Sequence, residues 1–354
     1  MLKTETKNPA IAWSQTTYPT GWGAEMRDTK ELLQPFSQEF LNDLDSCLNS
    51  ACARAITAET VTQEDFSTPA IDATMQKLLR DLRGGAGLVI SRGINAAAYG
   101  PEALEVIYMG LGMHLGNAVS QSSYGDVLGH VAVRDKNSAR GYTSDRQLEL
   151  HTDSAEIICL MCVRKSVTGG ESVFASSLKI RDVIARERPD LLQVLQTGYP
   201  YHRRGEEHPD MEPITPYNIP VFSEKDGIIS CRYVREIIEV AYRDLGKDLN
   251  GIEKEALDYF DEVANRPEIS FDFQLEPGDI AWMSNYQVLH ARRSFENPDD
   301  LSCGRLLYRL WLQDFPSRPM VKEMLVYQNP QGRQGIDPQK NRPAGLAKYS
   351  TKNH

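Results

Sequence analysis

The residues most able to do chemistry are the close pair His151 and Asp153 and the distant His290. Side chains two residues apart in an extended segment project to the same face, so the imidazole and the carboxylate of the pair can reach one metal ion. A second imidazole completes the two-histidine, one-carboxylate set that suits Fe(II) and leaves coordination positions open. The pair alone is a weak signal, because a chain with seven histidines readily acquires one by chance. Structural histidines at strand ends are the alternative.

Two arginines follow in the segment RLLYRLWL. In an extended strand Arg305, Leu307 and Arg309 share one face. Apolar neighbours such as Leu310 and Trp311 favour a buried strand, in which an unpaired guanidinium is costly. A guanidinium that binds a carboxylate through two parallel hydrogen bonds removes that cost. The segment therefore predicts a site for a carboxylate-bearing ligand, with an exposed strand and solvated arginines as the alternative.

Four segments carry a family resemblance, and they occur in the family's order. They are HTD (151–153), TGGES (168–172), PGDIAWMSNYQVLHAR (277–292) and RLLYRLWL (305–312). With them the chain, over most of the region from about 85 to 315, resembles the TauD/TfdA (taurine dioxygenase-like) family of Fe(II)/2-oxoglutarate dioxygenases, within the clavaminate-synthase-like group. The resemblance implies a mainly β fold with inserted helices, a double-stranded β-helix or jelly roll. It also implies the cofactors Fe(II), 2-oxoglutarate and O₂, and the release of succinate and CO₂.

The resemblance also implies roles for individual residues. His151, Asp153 and His290 become the iron ligands and the catalytic residues. Arg305 and Ser172 become the binding site for the distal carboxylate of 2-oxoglutarate. Relatives that halogenate lack the carboxylate ligand, so the presence of Asp153 predicts oxidation of a C–H bond without halogenation.

The substrate side is less defined by the sequence. The resemblance implies that Arg309 contacts either the cosubstrate or an anionic group of the substrate, and that Gln147 contacts the substrate. Gln121, Tyr124 and Tyr142 precede the metal motif, and they either line the pocket or pack within strands. These residues favour a small, carboxylate-bearing substrate, such as an amino acid or a secondary-metabolite intermediate, and hydroxylation, desaturation and cyclisation all remain open.

Two other features allow a functional or a structural interpretation. The loop over 198–218 contains His202, Arg203, Arg204 and His208 and is either a lid over the active site or a solvated loop. The single CxxC, Cys159 to Cys162, places its cysteines on opposite faces of a strand, which favours packing over metal binding.

Two further functions are open: a jelly-roll module that binds ligands without turnover, and a zinc hydrolase with the same ligands.

Apolar periodicity and turn residues predict the elements that position these residues. Predicted helices cover 36–57, 70–83, 101–115, 178–196 and 234–266. Predicted strands cover 86–93, 128–133, 147–153, 156–163, 171–176, 269–285 and 305–313, and a hairpin covers 219–233. The regular strand-helix alternation of a doubly wound parallel sheet is absent. We expect one domain over 1–354, divided into an arm and helices (1–85), a jelly-roll core (about 86–315) with a helical insert (about 178–268), and an irregular tail (325–354).

Composition excludes several classes of protein. The 354 residues carry a net charge of −10 without a run of Lys or Arg, so nucleic acid is not an expected partner. No segment is as apolar as a signal peptide or a membrane span, and six scattered cysteines do not form a disulfide framework. We expect a cytoplasmic protein whose partner is a small molecule. Formation of homo-oligomers is left open.

Overall fold

The computed structural model describes residues 13, 20–133, 144–314, 316–329, 332 and 334–339. The α-helices in these ranges are α1 (Gln38–Ala53), α2 (Pro69–Gly84), α3 (Pro101–Gly112), α4 (Ser177–Glu187), α5 (Pro189–Thr197), α6 (Arg235–Asp244) and α7 (Gly251–Ala264). The β-strands are β1 (Leu33–Pro35), β2 (Leu88–Arg92), β3 (Asn117–Ala118), β4 (Leu128–Ala132), β5 (Leu148–His151), β6 (Ile157–Arg164), β7 (Thr168–Gly169), β8 (Ser172–Ser176), β9 (Phe222–Lys225), β10 (Ile228–Cys231), β11 (Ser270–Phe273), β12 (Ile280–Ser284), β13 (Val288–Arg292), β14 (Phe295–Glu296) and β15 (Leu306–Gln313). Tyr142 and most of the predicted arm and tail lie outside the described residues.

Two sheets form the centre of the fold. The first sheet has seven strands in the order β1-β2-β12-β6-β15-β3, with β4 also paired to β15, and the second has the order β11-β8-β13-β5. Their inner faces pack on one another through a shared core that includes Ile158 and Leu160 from the first sheet and Phe174 and Val288 from the second. Two facing, largely antiparallel sheets are the arrangement expected of a jelly roll.

Helices cover the outer face of each sheet. Helices α1 to α3 pack on the first sheet around Trp282 and Tyr308. Helices α4, α5, α6 and α7 pack on the second sheet around Val173 and Leu289. Helix α2 shows why these segments are helical: the side chain of Thr68 accepts a hydrogen bond from the Ile71 N–H at its start, and Pro69 occupies its first turn. The division into arm, core, insert and tail stays a prediction.

The structure differs from the predicted elements at one functionally important place. After the turn at Pro277 to Asp279, the sequence predicts an apolar strand that runs into His290. Instead, β12 ends at Ser284, the chain turns over residues 285–287, and β13 begins at Val288 in the other sheet. A short run of apolar residues cannot show this crossing, because both strands are buried on both faces. Because the chain crosses at this turn, His290 lies in the second sheet.

The cysteines of the CxxC pack in separate cores. Cys159 belongs to the core under α1 to α3, whereas Cys162 belongs to the core between the sheets. Both are buried and free of disulfides. Burial raises the pKa of the Cys162 thiol to about 12, so it is protonated at neutral pH. Every helix in the described ranges is too short or too polar to cross a membrane.

A buried carboxyl makes the stability of the fold depend on pH. Glu156 accepts hydrogen bonds from the Arg318 N–H at 3.1 Å and the Gln334 side chain at 3.2 Å. Burial raises its pKa from 4.5 to about 7, although the Arg318 hydrogen bond lowers it. The folded state therefore binds an extra proton between these values, and the carboxyl's contribution to stability is lost as the pH rises through that window.

We expect Glu156→Gln to remove this dependence. As the pH rises from about 4 to about 8, the unfolding free energy of the variant should increase by about 3 kcal/mol relative to that of wild type. Each pKa unit of the Glu156 shift corresponds to about 1.4 kcal/mol. Urea unfolding at the two pH values measures the difference. Parallel pH profiles for the two proteins would contradict the expectation.

Candidate active site

Pairing of β5 with β13 brings the two distant parts of the metal motif together. His290 and His151 are direct register partners in this antiparallel pair, and their ring centroids are 4.4 Å apart. Asp153 follows the end of β5. Its Oδ1 lies 4.0 Å from His151 Nε2, and its Oδ2 lies 3.7 Å from His290 Nε2. One ligand atom from each of the three residues lies within 4.8 Å of the others, so the three can share one ion.

The protonation of the imidazoles suits metal binding. The Glu149 carbonyl lies 2.8 Å from His151 Nδ1, and a carbonyl only accepts, so Nδ1 carries the proton and the Nε2 lone pair is available. Burial and the nearby His151 lower the pKa of His290 to about 3, so its imidazole is neutral. Among the described residues His290 Nδ1 has no hydrogen-bond partner, although it is buried.

Two donors fix the carboxylate of Asp153. Arg309 Nη1 donates to its Oδ2 at 3.2 Å, and Trp311 Nε1 donates to the same oxygen at 3.0 Å. Burial alone would raise the pKa of Asp153, but Arg309 and the two histidines outweigh it and the pKa is lowered. The carboxylate is therefore anionic. Both hydrogen bonds from described residues go to Oδ2, which leaves Oδ1 for an ion.

A buried guanidinium lies in the same cavity. Arg305 is only 5% exposed, and its Nη2 donates to the Gly170 carbonyl at 3.2 Å. No carboxylate of the described chain lies within ion-pair distance of it. Burial lowers its pKa to about 10, so it remains charged at neutral pH. Burial and the nearby Arg305 lower the pKa of Arg292 to about 9. The guanidiniums of Arg292 and Arg305 both lie over the ring of Phe295, at 4.7 and 5.2 Å from its centroid. The concentrated positive charge is suited to an anion.

These residues surround one cavity of about 490 Å³. The three candidate metal ligands line it together with Ser172, Arg305 and Arg309. The rest of its wall combines apolar and charged side chains: Val131, Gln147, Leu148, Glu149, Leu150, Leu160, Arg204, Tyr233, Val234, Arg235, Glu236, Glu239, Asp261, Ala291, Arg292 and Leu307. A volume of this size accommodates a small organic molecule beside a cosubstrate.

Comparison with known proteins decides the family. The model of the family described as "Taurine catabolism dioxygenase TauD, TfdA family" matches residues 49–311. The chain is 33% identical over 244 residues to FR-33289 synthase of Streptomyces rubellomurinus, covering 66% of this chain and 71% of that protein. The chain belongs to the TauD/TfdA family. Gamma-butyrobetaine dioxygenase of Homo sapiens is a more distant relative, 24% identical over 179 residues, 48% of this chain and 46% of that protein.

Solved structures support the fold. An asparagine oxygenase in complex with Fe(II), 2S,3S-3-hydroxyasparagine and succinate has a TM-score of 0.63 at 14% identity, covering 87% of this chain and 99% of that chain. The non-haem iron oxygenase OrfP in complex with Fe and alpha-ketoglutaric acid has a TM-score of 0.59 at 13% identity, covering 79% and 93%. The predicted jelly roll is thereby confirmed. Membership of the TauD/TfdA family confirms the predicted enzyme class, an Fe(II)/2-oxoglutarate-dependent dioxygenase, and its cofactors.

The structure places the residues predicted to contact substrate in different surroundings. Gln147 lines the cavity, where its amide donates to Glu149 at 3.0 Å. Gln121 does not line it. Instead, its Oε1 accepts from Arg309 Nε at 2.7 Å, and its Nε2 donates to the Arg309 carbonyl at 2.9 Å. Tyr124 is also absent from the lining. The buried amide of Gln121 thus holds Arg309, and its contact with substrate stays a prediction.

Four residues of the loop over 198–218 were considered for a lid, and one of them lines the cavity. Arg204 lines the wall and pairs with Glu236. Arg203 is buried and donates to the Val326 carbonyl. His202 lies 3.3 Å from Asp244, outside the lining. His208 is also outside the lining. The loop thus contributes a wall residue, and its role as a lid stays a prediction.

Sequence reasoning missed two residues of the site. Trp311 was treated only as an apolar neighbour, although strand alternation places it on the same face as Arg309 and could have identified it. Arg292, the second residue after His290, was not singled out, yet it lines the cavity beside Arg305. Its place in the same strand as a candidate ligand was the available signal.

Gly170 allows a test of the pocket around Arg305. Its φ is +78°, and a Cβ there would lie 2.7 Å from Ser166 Oγ and 3.0 Å from Arg305 Nε. Gly170→Ala should strain the backbone by about 1–2 kcal/mol and displace the guanidinium. We expect the KM for 2-oxoglutarate to rise about tenfold, since a displaced charged hydrogen bond is worth about 1.5 kcal/mol.

Gly246→Ala is the matched control for this prediction. Gly246 also has a positive φ, +63°, but a Cβ there would meet nothing within 4 Å. The control should share the backbone strain and keep the wild-type KM. An unchanged KM in Gly170→Ala would show that the backbone at 170 does not set the position of Arg305.

Proposed function

We propose that this enzyme oxidises a C–H bond of a small, carboxylate-bearing, amino-acid-like substrate, with Fe(II) held by His151, Asp153 and His290. In this proposal Arg305 and Ser172 bind the distal carboxylate of 2-oxoglutarate. The observation that carries it is the presence, in one cavity, of three metal donors and a buried guanidinium without a carboxylate partner in the described chain. A ligand that both chelates a metal and presents a carboxylate at a distance satisfies both features.

Each side chain has a distinct task. The two imidazoles and the anionic carboxylate would hold the metal, and Arg309 with Trp311 keeps the carboxylate oriented. Arg305 fixes the far end of the cosubstrate, so its reactive end is directed at the metal. Bound Fe(II), together with 2-oxoglutarate and O₂, supplies the oxidising chemistry, whereas the protein positions the reactants and excludes water.

The substrate class is supported by the cavity and by the relatives. The cavity wall combines acidic and basic side chains, including Glu149, Arg204 and Glu239. Mixed charges suit a molecule that carries both an ammonium and a carboxylate. Structural neighbours of this chain hold hydroxylated asparagine and hydroxylated arginine. Hydroxylation is therefore the reaction we propose, with Gln147 among the residues that contact the substrate.

Anaerobic titration tests the proposal without knowledge of the substrate. Addition of 2-oxoglutarate to the Fe(II) protein should produce a weak visible charge-transfer band, and His290→Ala should abolish it. Absence of the band in wild type would contradict the proposal. Aerobic assays of succinate release with a panel of amino acids and small carboxylates, including L-asparagine and L-arginine, then identify the substrate class.

The two other functions predict different results. A jelly-roll module that only binds ligands would show the band without substrate-stimulated succinate release for any member of the panel. A zinc hydrolase would be active with Zn²⁺ and independent of 2-oxoglutarate. Membership of the TauD/TfdA dioxygenase family argues against the hydrolase.

A further inference from the structure

Asn285 occupies the turn between β12 and β13, where the chain crosses from the first sheet to the second. Its side chain is fully buried. His290, a candidate metal ligand, lies five residues further along, in β13. The turn is short and closed by the Gln287 N–H, which donates to the Ser284 carbonyl at 2.9 Å. A group anchored on Asn285 is therefore held at a nearly fixed distance from His290.

The side chain of Asn285 makes all of its hydrogen bonds to the loop that carries Asp153. Its Oδ1 accepts from the Asp153 N–H at 2.8 Å, and its Nδ2 donates to the Asp153 carbonyl at 2.9 Å. The same Nδ2 donates to the Ala155 carbonyl at 2.7 Å. The backbone N–H of Asn285 donates to the Glu156 carbonyl at 3.0 Å. The amide thus holds the N–H and the carbonyl of Asp153 at once.

This contact complements the hydrogen bonds to the carboxylate. Asp153 lies after the end of β5 and before the start of β6, so its backbone has no ladder partner in either strand. Arg309 and Trp311 orient its side chain but do not fix its backbone. Asn285 is the described side chain that bonds both the N–H and the carbonyl of Asp153.

We propose that Asn285 is a positioning residue of the metal centre, which locks the backbone of Asp153 to the strand that carries His290. The inference rests on the proposed metal ligands. Residues that orient metal ligands typically change metal affinity by about 10- to 100-fold when they are replaced. A residue with a structural role alone would lower the stability of the folded protein and leave the affinity for metal unchanged.

The experiment compares metal affinity with stability. Asn285→Ala removes all three side-chain bonds, and Asn285→Asp keeps the shape and the acceptor for the Asp153 N–H but loses both donated bonds. Mn²⁺ affinity of the metal-free proteins, the visible spectrum of the Co²⁺ forms and urea unfolding are measured for each. We expect Mn²⁺ to bind about 10- to 100-fold more weakly to Asn285→Ala, with a smaller loss for Asn285→Asp and an altered Co²⁺ spectrum in both.

Thr215→Val is the matched control, because Thr215 is buried and lies outside the metal site. Its hydroxyl accepts from the Tyr201 N–H at 2.9 Å and donates to the Tyr217 carbonyl at 2.8 Å. The control should lose stability and keep the wild-type Mn²⁺ affinity. Wild-type Mn²⁺ affinity in the folded Asn285 variants would overturn the inference. Should Asn285→Ala fail to fold, Asn285→Asp decides by the same measurement. Failure of the wild-type protein to bind Mn²⁺ would instead contradict the proposed ligands.

Discussion

Replacing Arg305 with glutamine is expected to weaken 2-oxoglutarate binding by about a hundredfold while leaving the metal-free protein at least as stable as wild type. The guanidinium is buried and without a carboxylate partner in the described chain, so it is a cost to the folded protein until an anion arrives. A charge-assisted pair with the distal carboxylate is worth about 3 kcal/mol, which corresponds to about a hundredfold in affinity. Titration of the charge-transfer band and thermal unfolding measure the two effects.

A cosubstrate that lacks the distal carboxylate separates this role from general damage. Wild type should discriminate strongly between 2-oxoglutarate and 2-oxobutyrate, and Arg305→Gln should lose most of that discrimination. Arg293→Gln is the control, because Arg293 lies in the same region but pairs with Asp272 at 2.8 Å. An equal loss of affinity for both oxo acids in Arg305→Gln would contradict a specific contact with the distal carboxylate.

The sequence was sufficient to predict the relative positions of site residues that are close together in the chain. Two-residue alternation placed His151 and Asp153 together, and it placed Arg305, which immediately precedes β15, on the same face as Arg309. Both arginines line the cavity. The helices α1 and α2 followed from apolar periodicity, since each buries one stripe of side chains on the first sheet. The resemblance to the TauD/TfdA family then identified His290, which is distant in sequence, as the third metal ligand.

The sequence was not sufficient for contacts that depend on how the sheets meet. The contact of Arg309 with substrate or cosubstrate stays a prediction, but its hydrogen bonds to Asp153 and Gln121 were not predicted. Strand alternation gives the face on which a side chain lies but not the partner across the cavity. The contact of Asn285 with Asp153 arises from the crossing between sheets, which joins segments more than a hundred residues apart. No local pattern encodes that proximity.

Replacing Asp153 with alanine should have the largest effect on activity. The change removes one of three metal donors and the carboxylate that receives Arg309 and Trp311. We expect substrate-stimulated succinate release to fall by at least about a thousandfold, which corresponds to about 4 kcal/mol. Metal affinity, measured with Mn²⁺, should fall in parallel. Asp190→Asn is the control, because Asp190 forms an ion pair with Arg188, and neither residue lines the cavity.

Two conservative variants separate metal binding from the neutralisation of Arg309. Asp153→Asn keeps the shape and an acceptor oxygen for Trp311 but removes the charge, whereas Asp153→Glu keeps the charge and moves it by one methylene. A carboxylate that served only as a partner for Arg309 would be replaced well by glutamate, because a long guanidinium adjusts to a displaced charge. A metal ligand held between two imidazoles tolerates little displacement. We therefore expect both variants to lose most of the activity, and near-wild-type turnover in Asp153→Glu would exclude Asp153 as a ligand of fixed geometry.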